Sequence, residues 1–528
     1  MKSSTLRTFQ TVHTWTGVAA GFFLFIAFYA GALTVFHDAI ATWQHPPWRA
    51  AAAADTDPGD LARNFAAAHP TARRDFGVVL PPPGSAQAPY VYWPSADGAR
   101  FVTANDLQTL HADLPSESLA DFVYELHDSL GLPVVGLYLM GVVSVLYGLA
   151  LVSGVLIHLP SLVRDLFALR PGRNLKRLWQ DAHNVIGLLS LPFHIIFAVT
   201  GAVLCLFTVV LLALNTMAFD GRLSSQFANV VNTAPQRAAA GVAAPMQPLS
   251  ALVARAREAA LTNGASSFRP DYVHYMHYGD RHAVVEVRGL SQHTVGTYGT
   301  VALDGVSGRV LNVHVADAHN INGLVYSAIF ALHFGSYGGM TVKVLYFLLG
   351  LGGAFLFYSG NLLWIESRRK RRHADQPART RWMARATVGV CIGSCLGISA
   401  AFLAVALADG RGDTTALQQI AAYGAFALAC LWAALREVPR ATCELLWATA
   451  LVTALAAVTD LLRNAHAWTQ PWTPLHGVVF GVDLTGLLLA AGFAWLARAS
   501  GRRALRGDAN SVWALPAAAN DQGNGSRS

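Results

Sequence analysis

The sequence predicts an all-α integral membrane helical bundle of about eight helices that carries two small α+β modules outside the bilayer. Three observations lead to this fold class. Hydrophobic residues make up 53% of the 528 residues and charged residues only 13%, against roughly 25% charged in average soluble proteins. The apolar residues form long unbroken runs, and the first four runs repeat one pattern. This composition excludes a disordered chain, a nucleic-acid-binding tail protein and an ordinary cytosolic enzyme.

Eight apolar runs are long enough to cross a bilayer as helices. Each has about 20 residues or more, which covers the ~30 Å of hydrocarbon at about 1.5 Å per residue. The predicted spans are 14–37, 134–158, 184–214, 341–365, 384–408, 414–435, 441–462 and 476–497. The first run is too long for a signal-peptide core and lacks a small-residue cleavage site after it, so we expect an uncleaved anchor.

Clusters of arginine and lysine set the predicted orientation. Placing Lys2 and Arg7 on the cytoplasmic side puts every short basic loop on that side too, as the positive-inside rule requires. The loops concerned contain 164–177, 368–381, 436–440 and 498–506. We therefore expect both termini in the cytoplasm, and we interpret the clusters as topology signals without a nucleic-acid partner.

The spans divide the chain into ten predicted parts. They are the first span (1–37), a first periplasmic module (38–126), the second span (127–158), a basic cytoplasmic loop (159–182), the third span (183–214), a second periplasmic module (215–332), the fourth span (333–365), a second basic loop (366–383), a four-span extension (384–497) and a disordered cytoplasmic tail (498–528). The lipid bilayer is therefore an expected partner of most of the chain.

Both modules are predicted to contain a helix followed by short antiparallel strands. In the first, a helix is expected at 60–68, with strands at 76–80, 90–93 and 100–103. In the second, a helix at 249–261 precedes strands at 272–278, 282–287, 297–303 and 309–313. Period-two alternation supports these strands, and Asp304-Gly305 is a hairpin signal.

The first four spans contain an internal duplication. The first span begins His13-Thr-Trp-Thr-Gly17 and the third begins His183-Asn-Val-Ile-Gly187, with a second glycine eighteen residues after each histidine. His127 precedes the second span and His333 precedes the fourth, and both of these spans end in Ser-Gly. A unit of span, module and span is thus present twice in the same orientation, which implies a pseudo-twofold axis along the membrane normal.

The duplication places histidines in two layers. His13 and His183 begin outward-running helices and are expected at the cytoplasmic end, whereas His127 and His333 are expected at the periplasmic end. Imidazole is a common axial ligand of haem iron, and facing helices of a bundle can hold a cofactor between them. We therefore expect each layer to bind one b-type haem through its two histidines. Two such haems would form an electron path across the membrane.

Other histidines are weaker candidates. A single histidine near a helix end is usually an interfacial residue, which is the interpretation favoured for His37 and His158. His194 lies deeper, and its counterpart in the duplication is Leu24. It is therefore only a secondary candidate ligand, and otherwise a core histidine or a relay.

Several cofactor and catalytic motifs are missing from the sequence. There is no Cys-x-x-Cys-His for attached haem, and no phosphate-binding loop, dinucleotide fingerprint or nucleophile elbow. The reducing electron is therefore expected from a separate reductase, from quinol in the bilayer or from a small soluble donor.

These motifs together resemble the PepSY-associated transmembrane family. The resemblance covers about residues 5–370 and includes the segments around the four histidines. The segment 301–311 is also similar to the strand-turn-strand of a PepSY module. The last four spans depart from the family pattern, and the first module matches PepSY poorly.

The resemblance implies a bacterial inner-membrane protein. Some relatives are two-haem reductases that release iron from ferric siderophores, others are iron-regulated membrane proteins, and PepSY modules elsewhere bind or inhibit peptidases. The family's histidine positions correspond to His13, His127, His183 and His333. The extension carries Asp460, His466, His476 and Asp483 near the outer face, without an assigned role.

The function expected from the sequence is ferric-siderophore reduction by a di-haem b oxidoreductase. Electrons would enter at the cytoplasmic haem and leave from the periplasmic haem to a ferric chelate. A non-enzymatic PepSY sensor or scaffold is a first alternative, and a transporter of siderophore, haem or metal is a second. A third keeps the haems but changes the acceptor to copper, quinone or another oxidant.

Overall fold

The computed structural model describes residues 3–44, 57–81, 89–95, 98–103, 118–159, 174–223, 234–291, 295–296, 298–315, 321–370, 376–408, 414–465 and 474–515. Within these ranges, eight helices are long and apolar enough to cross a membrane, which confirms the prediction of a multi-pass membrane protein. Parts of both basic loops, His466 and residues 516–528 of the predicted tail lie outside the described residues.

Helices and strands alternate between the membrane bundle and the modules. In chain order they are α1 (Ser3–Thr34), α2 (His37–Gln44), α3 (Pro58–Ala68), β1 (Asp75–Val79), β2 (Tyr90–Ser95), β3 (Gly98–Thr103), α4 (Leu119–Asp128), α5 (Val135–His158), α6 (Leu175–Leu189), α7 (Leu191–Met217), α8 (Leu249–Thr262), β4 (Arg269–Met276), β5 (Val284–Leu290), β6 (Tyr298–Asp304), β7 (Val310–His314), α9 (Ile321–Phe334), α10 (Gly339–Ser367), α11 (Ala378–Ala386), α12 (Gly393–Ala408), α13 (Thr415–Leu435), α14 (Val438–Arg463) and α15 (Pro474–Arg506). A π-helical segment, Thr387–Ile392, joins α11 to α12.

The four spanning helices of the duplicated region pack into one bundle together with α6. Helix α1 packs against α5 and α10, α5 packs against α7, and α6, which leads into α7, packs against α10. Their shared core contains buried side chains such as Leu24, Phe28 and Met140. We call the end of the bundle that carries the modules the sheet end and the end where the chain begins the basic end.

The third predicted span is divided in the structure. The sequence predicts one helix over 184–214, but α6 ends at Leu189 and α7 begins at Leu191. Pro192 lies in the first turn of α7, and proline cannot donate the backbone hydrogen bond that a continuous helix needs there. His183 therefore lies on a short helix of its own, as His127 and His333 do on α4 and α9.

The two predicted modules share one sheet. Seven strands lie in the order β3-β2-β1-β4-β5-β6-β7, and the antiparallel pairing of β1 with β4, in which Val78 lies opposite Val273, joins the modules. One face packs on α3 and α8 through buried residues that include Phe65 and Leu252. The helix-plus-strand composition is as predicted, and the join removes one exposed edge from each module.

Helix α2 connects the duplicated core to the four-span extension. The side chain of Gln44 accepts a hydrogen bond from the Leu119 backbone (2.6 Å) and donates one to Thr414 (3.0 Å). The neighbouring Trp43 donates through Nε1 to the buried carboxylate of Asp483 (2.8 Å). Because buried polar groups need partners, these contacts fix the extension against the core, and Asp483 has a structural role in that contact.

Candidate functional site: two layers of paired histidines

The duplicated helices bring His13 and His183 together at the basic end. Their ring centroids lie 6.2 Å apart, with an 82° angle between the ring planes. Nδ1 of His13 donates to the carbonyl oxygen of Ala150 (2.8 Å), and Nδ1 of His183 donates to that of Leu356 (3.1 Å). Ala150 and Leu356 hold corresponding positions in the two units, so this layer keeps the pseudo-twofold symmetry.

The second pair lies at the sheet end. The ring centroids of His127 and His333 are 5.8 Å apart, with an interplanar angle of 43°. Nδ1 of His127 donates to the carbonyl oxygen of Ala27 (2.7 Å), whereas Nδ1 of His333 meets the hydroxyl of Thr200 (2.8 Å). That hydroxyl gives its own hydrogen to the Ile196 carbonyl (2.6 Å), so its oxygen accepts the bond from His333.

These bonds determine the tautomer of all four imidazoles. A carbonyl oxygen only accepts hydrogen bonds, so Nδ1 carries the proton and Nε2 keeps its lone pair in the neutral ring. No Nε2 atom of the four makes a hydrogen bond to a residue that the structure describes. Metal-binding histidines typically donate the second ring nitrogen to a carbonyl or similar acceptor, and both layers have this pattern.

The spacing of each pair fits a metal ion held between two rings. Bonds from imidazole nitrogen to a metal are about 2 Å long, so rings on opposite sides of one ion have centroids about 6 Å apart. The observed centroid distances are 6.2 Å and 5.8 Å. Both distances therefore agree with one metal ion bound by the two rings of a layer.

Each pair also lines a cavity of the size of a cofactor site. The basic-end cavity has a volume of about 540 Å³ and the sheet-end cavity about 290 Å³, close to the usual range for ligand pockets of roughly 300 to 1,000 Å³. Lys176 and Arg368 line the basic-end cavity. Their positive charges suit a ligand with carboxylate groups on its rim.

Glycines make room for the rings and for the cavities. A Cβ atom on Gly31 would lie 2.6 Å from Nδ1 of His127, and one on Gly154 would lie 3.1 Å from Cε1 of His13. A Cβ on Gly17 would meet no atom within 4 Å, because Gly17 faces the basic-end cavity. The small residues of the duplicated motif therefore form the walls of the candidate sites.

Aromatic residues separate the two cavities. Tyr147 lines both of them, and its hydroxyl lies 2.5 Å from Nδ1 of His194. Phe28 packs beside it, with ring centroids 5.8 Å from Tyr147 and 5.1 Å from Phe357. Tyr147 was not predicted as a site residue, although it departs from the repeat, in which Gly353 holds the corresponding position.

The three secondary candidates have different surroundings. His194 is fully buried, and both of its ring nitrogens are hydrogen-bonded, to Tyr147 (2.5 Å) and to Ser190 (2.8 Å). It is thus a core histidine between the layers. His158 lines the basic-end cavity with the first pair, and His37 lies outside both cavities.

His37 joins α2 to α4 through an ion pair. Its Nε2 lies 2.9 Å from Asp121 and its Nδ1 lies 3.4 Å from Asp38. Burial alone would lower the pKa of His37, but the hydrogen bonds to both carboxylates outweigh it and raise the pKa to about 9. The same contacts lower the pKa of Asp38 and of Asp121.

This ion pair predicts a loss of stability at alkaline pH. A histidine with a raised pKa stabilises the fold fully below its ordinary value near 6.5, and the contribution disappears as pH rises through about 9. We expect the unfolding temperature of the detergent-solubilised protein to fall between about pH 6.5 and 9 less steeply in His37→Gln than in the wild type. Equal slopes for the two proteins would contradict this role of His37.

Outside these layers the described residues offer little for a metal. No group of three or more histidine, cysteine or acidic side chains comes together in the described part of the chain. On the sheet, Nε2 of His274 lies 2.6 Å from Asp75 and forms a hydrogen bond across β4 and β1. The two imidazole layers are therefore the strongest candidate cofactor sites.

The region that contains both layers matches a known family. Residues 10–367 match the family described as PepSY-associated TM region. The chain belongs to this family. The match includes all four paired histidines and ends before α11, so the four-span extension lies outside it.

A second comparison finds a similar bacterial protein. An uncharacterized protein of Pseudomonas aeruginosa is 26% identical to this chain over 303 residues, which covers 55% of this chain and 73% of that protein. The similarity carries no information about activity, since that protein is itself uncharacterized.

Proposed function

We propose that this PepSY-associated membrane protein is a di-haem b oxidoreductase of a bacterial inner membrane that delivers electrons to a ferric chelate in the periplasm. One observation carries the proposal: two layers of paired imidazoles, each with Nδ1 held by an acceptor and Nε2 left available. His13 and His183 would hold one haem, and His127 and His333 the other. When bound, haem iron supplies reversible one-electron redox chemistry whose potential depends on ligation and burial.

The residues of the chain position and shield the two sites. The Nδ1 hydrogen bonds hold each ring at a fixed orientation, so that Nε2 points away from the helix that provides the acceptor. Tyr147 and Phe28 pack against each other between the layers and place aromatic rings in the middle of the bundle. Lys176 and Arg368 would pair with carboxylates at the rim of the basic-end site.

The sheet end is the proposed exit for electrons. Tyr326 lines the sheet-end cavity and lies near Tyr298 of β6, so the sheet stands beside the mouth of this site. Ferric iron is a hard ion that oxygen ligands hold tightly, and one-electron reduction weakens that chelation. A ferric siderophore that approaches between the sheet and the bundle would thereby release its metal.

Reconstituted vesicles test this function. Purified protein is placed in liposomes, an impermeant reductant is enclosed, and an impermeant ferric chelate with a ferrous indicator is added outside. The proposal predicts ferrous iron outside at a rate that depends on the protein. Uptake of the chelate without its reduction would favour a transporter, and neither uptake nor reduction would favour a sensor or scaffold.

Replacing the acceptor of one histidine should weaken one site selectively. Thr200→Val removes the hydroxyl that accepts from His333, and loss of such a partner typically weakens metal binding about 10- to 100-fold. We expect the variant to lose haem from the sheet-end site during dilution, measured by absorbance, while the basic-end haem stays. Thr216→Val is the matched control, since Thr216 lies on the same helix and its hydroxyl bonds only to that helix's own carbonyls.

A further inference from the structure

A large cavity lies between the duplicated core and the four-span extension at the basic end. It has a volume of about 660 Å³, and we call it the lateral cavity. The core helices α1, α6 and α10 form one side of it, and α12, α14 and α15 of the extension form the other. The matched family region ends at residue 367, so one side of the cavity lies outside the family match.

Only one layer of helices separates the lateral cavity from the basic-end histidine pair. On α6, Ala182 lines the lateral cavity and the next residue, His183, lines the basic-end cavity. On α10, Tyr358 lines the lateral cavity, whereas Gly360 lines the other. Since a helix with its side chains is about 10 Å across, a ligand in the lateral cavity would lie within about one helix width of the first layer.

The core side of the lateral cavity is a surface of aromatic rings. Phe25 contacts both Tyr29 and Tyr358, with ring centroids 6.5 Å and 6.3 Å apart. Phe355 contacts Tyr358 at 6.4 Å and Trp179 at 6.3 Å. Five contiguous aromatic side chains of this kind suit a flat aromatic ligand, because such rings prefer stacked or edge-to-face contacts.

Two polar donors at the same cavity have no hydrogen-bond partner among the described residues. They are Nε of Arg503 and Nε1 of Trp513, both buried from solvent. The whole side chain of Trp513 is 92% buried, with a relative exposure of 8%. Buried donors in native proteins almost always have partners, so these two N–H groups point to a ligand that offers an oxygen acceptor.

We propose that the lateral cavity binds a membrane quinol, which makes it the electron entry site; this rests on the di-haem function proposed above. The aromatic surface would hold the quinol ring, and Arg503 and Trp513 would donate to its oxygens. The quinol loses two electrons and two protons to become the quinone. The electrons leave one at a time toward the basic-end pair and reduce two ferric chelates, and the protons enter water at the basic end.

Two glycines of α15 provide a matched pair of test variants. A Cβ on Gly492 or on Gly481 would meet no atom within 4 Å, so a larger side chain can begin at either position without a clash at Cβ. Gly492 lines the lateral cavity, whereas Gly481 lines a separate cavity of about 400 Å³ beside Asp483. Gly492→Leu fills the proposed quinol site, and Gly481→Leu adds the same bulk elsewhere on the helix.

Photolabelling measures the binding directly. The full-length protein in quinone-free nanodiscs is labelled with an azidoquinone, with decylubiquinone as competitor, and the labelled peptide is identified. We expect competed label on peptides of the lateral cavity and about tenfold less label in Gly492→Leu, with Gly481→Leu unchanged. Trp513→Phe keeps an aromatic ring but loses the N–H donor, so its labelling should fall severalfold.

The outcomes separate this proposal from the di-haem function. Equal labelling of Gly492→Leu and wild type, label located only in another cavity, or phospholipid as the only competitor would overturn the quinol site. Haem content is measured on the same samples. Haem-loaded protein without competed label contradicts the quinol site alone, whereas colourless protein that is still labelled at α15 contradicts the di-haem function and supports the binding site.

Discussion

His333→Ala should retain one haem per chain and lose the reduction of external ferric chelate. His333 provides one of the two rings at the sheet end, and its partner His127 lies 5.8 Å away. The basic-end pair uses different helices and different acceptors, so it should keep its haem. Haem content falls by half, and reduction in the vesicle assay falls to the level of empty liposomes.

His194→Leu is the control for this variant. It removes a fully buried histidine whose nitrogens are both hydrogen-bonded within the protein, and leucine occupies the corresponding position in the first unit. We expect two haems per chain in this variant. Chelate reduction that persists in His333→Ala would contradict the proposed exit, and loss of haem in His194→Leu would show that haem content reports only on packing.

His183→Ala should block electron entry but leave the exit intact. This variant loses one ring of the basic-end pair, which lies 6.2 Å from His13. The enclosed reductant should then no longer reduce the external chelate. The remaining sheet-end haem should still be reduced by dithionite added outside, because its own ligands, His127 and His333, are unchanged.

The order of the two layers makes the paired variants informative. In a linear path, His183→Ala and His333→Ala abolish transmembrane reduction equally. Only His183→Ala retains the sheet-end haem, which a reductant added outside the vesicles can reach directly. The absorbance change on adding dithionite to sealed vesicles distinguishes them. Reduction of the haem in His183→Ala only after detergent is added would contradict the placement of the sheet-end layer on the outer side of the membrane.

Much of the fold follows from patterns that survive in a single sequence. Long apolar runs predict the eight spans because the bilayer requires helices of that length. The duplication predicts that His13 meets His183 and that His127 meets His333, because equivalent positions of a parallel repeat face one another. The structure brings both pairs together.

Other features depend on contacts between distant segments and leave weaker signals. The pairing of β1 with β4 joins residues about two hundred positions apart, and the sequence of neither strand identifies the strand with which it pairs. The hydroxyl of Thr200 holds His333 where a backbone carbonyl holds each of the other three rings, a difference that only the three-dimensional arrangement shows. Pro192 lies at the break between α6 and α7, and the prediction of one continuous span over 184–214 overlooked it, although proline disrupts a continuous helix.

Departures from the repeat also carry information about the space between the layers. Tyr147, His194 and Phe28 all differ in type from their counterparts Gly353, Leu24 and Ala198. Together they form the hydrogen-bonded aromatic cluster between the two cavities. The symmetric positions thus predict the histidine layers, whereas the asymmetric positions predict what separates them.

The haem content of the purified protein decides whether the paired histidines are ligands. We expect the oxidised and dithionite-reduced absorbance spectra to show b-type haem with two histidine ligands, and extraction as the pyridine complex to give two haems per chain. A colourless protein, purified with intact fold from cells supplied with iron and haem precursor, would contradict the assignment of all four histidines and with it the proposed electron path.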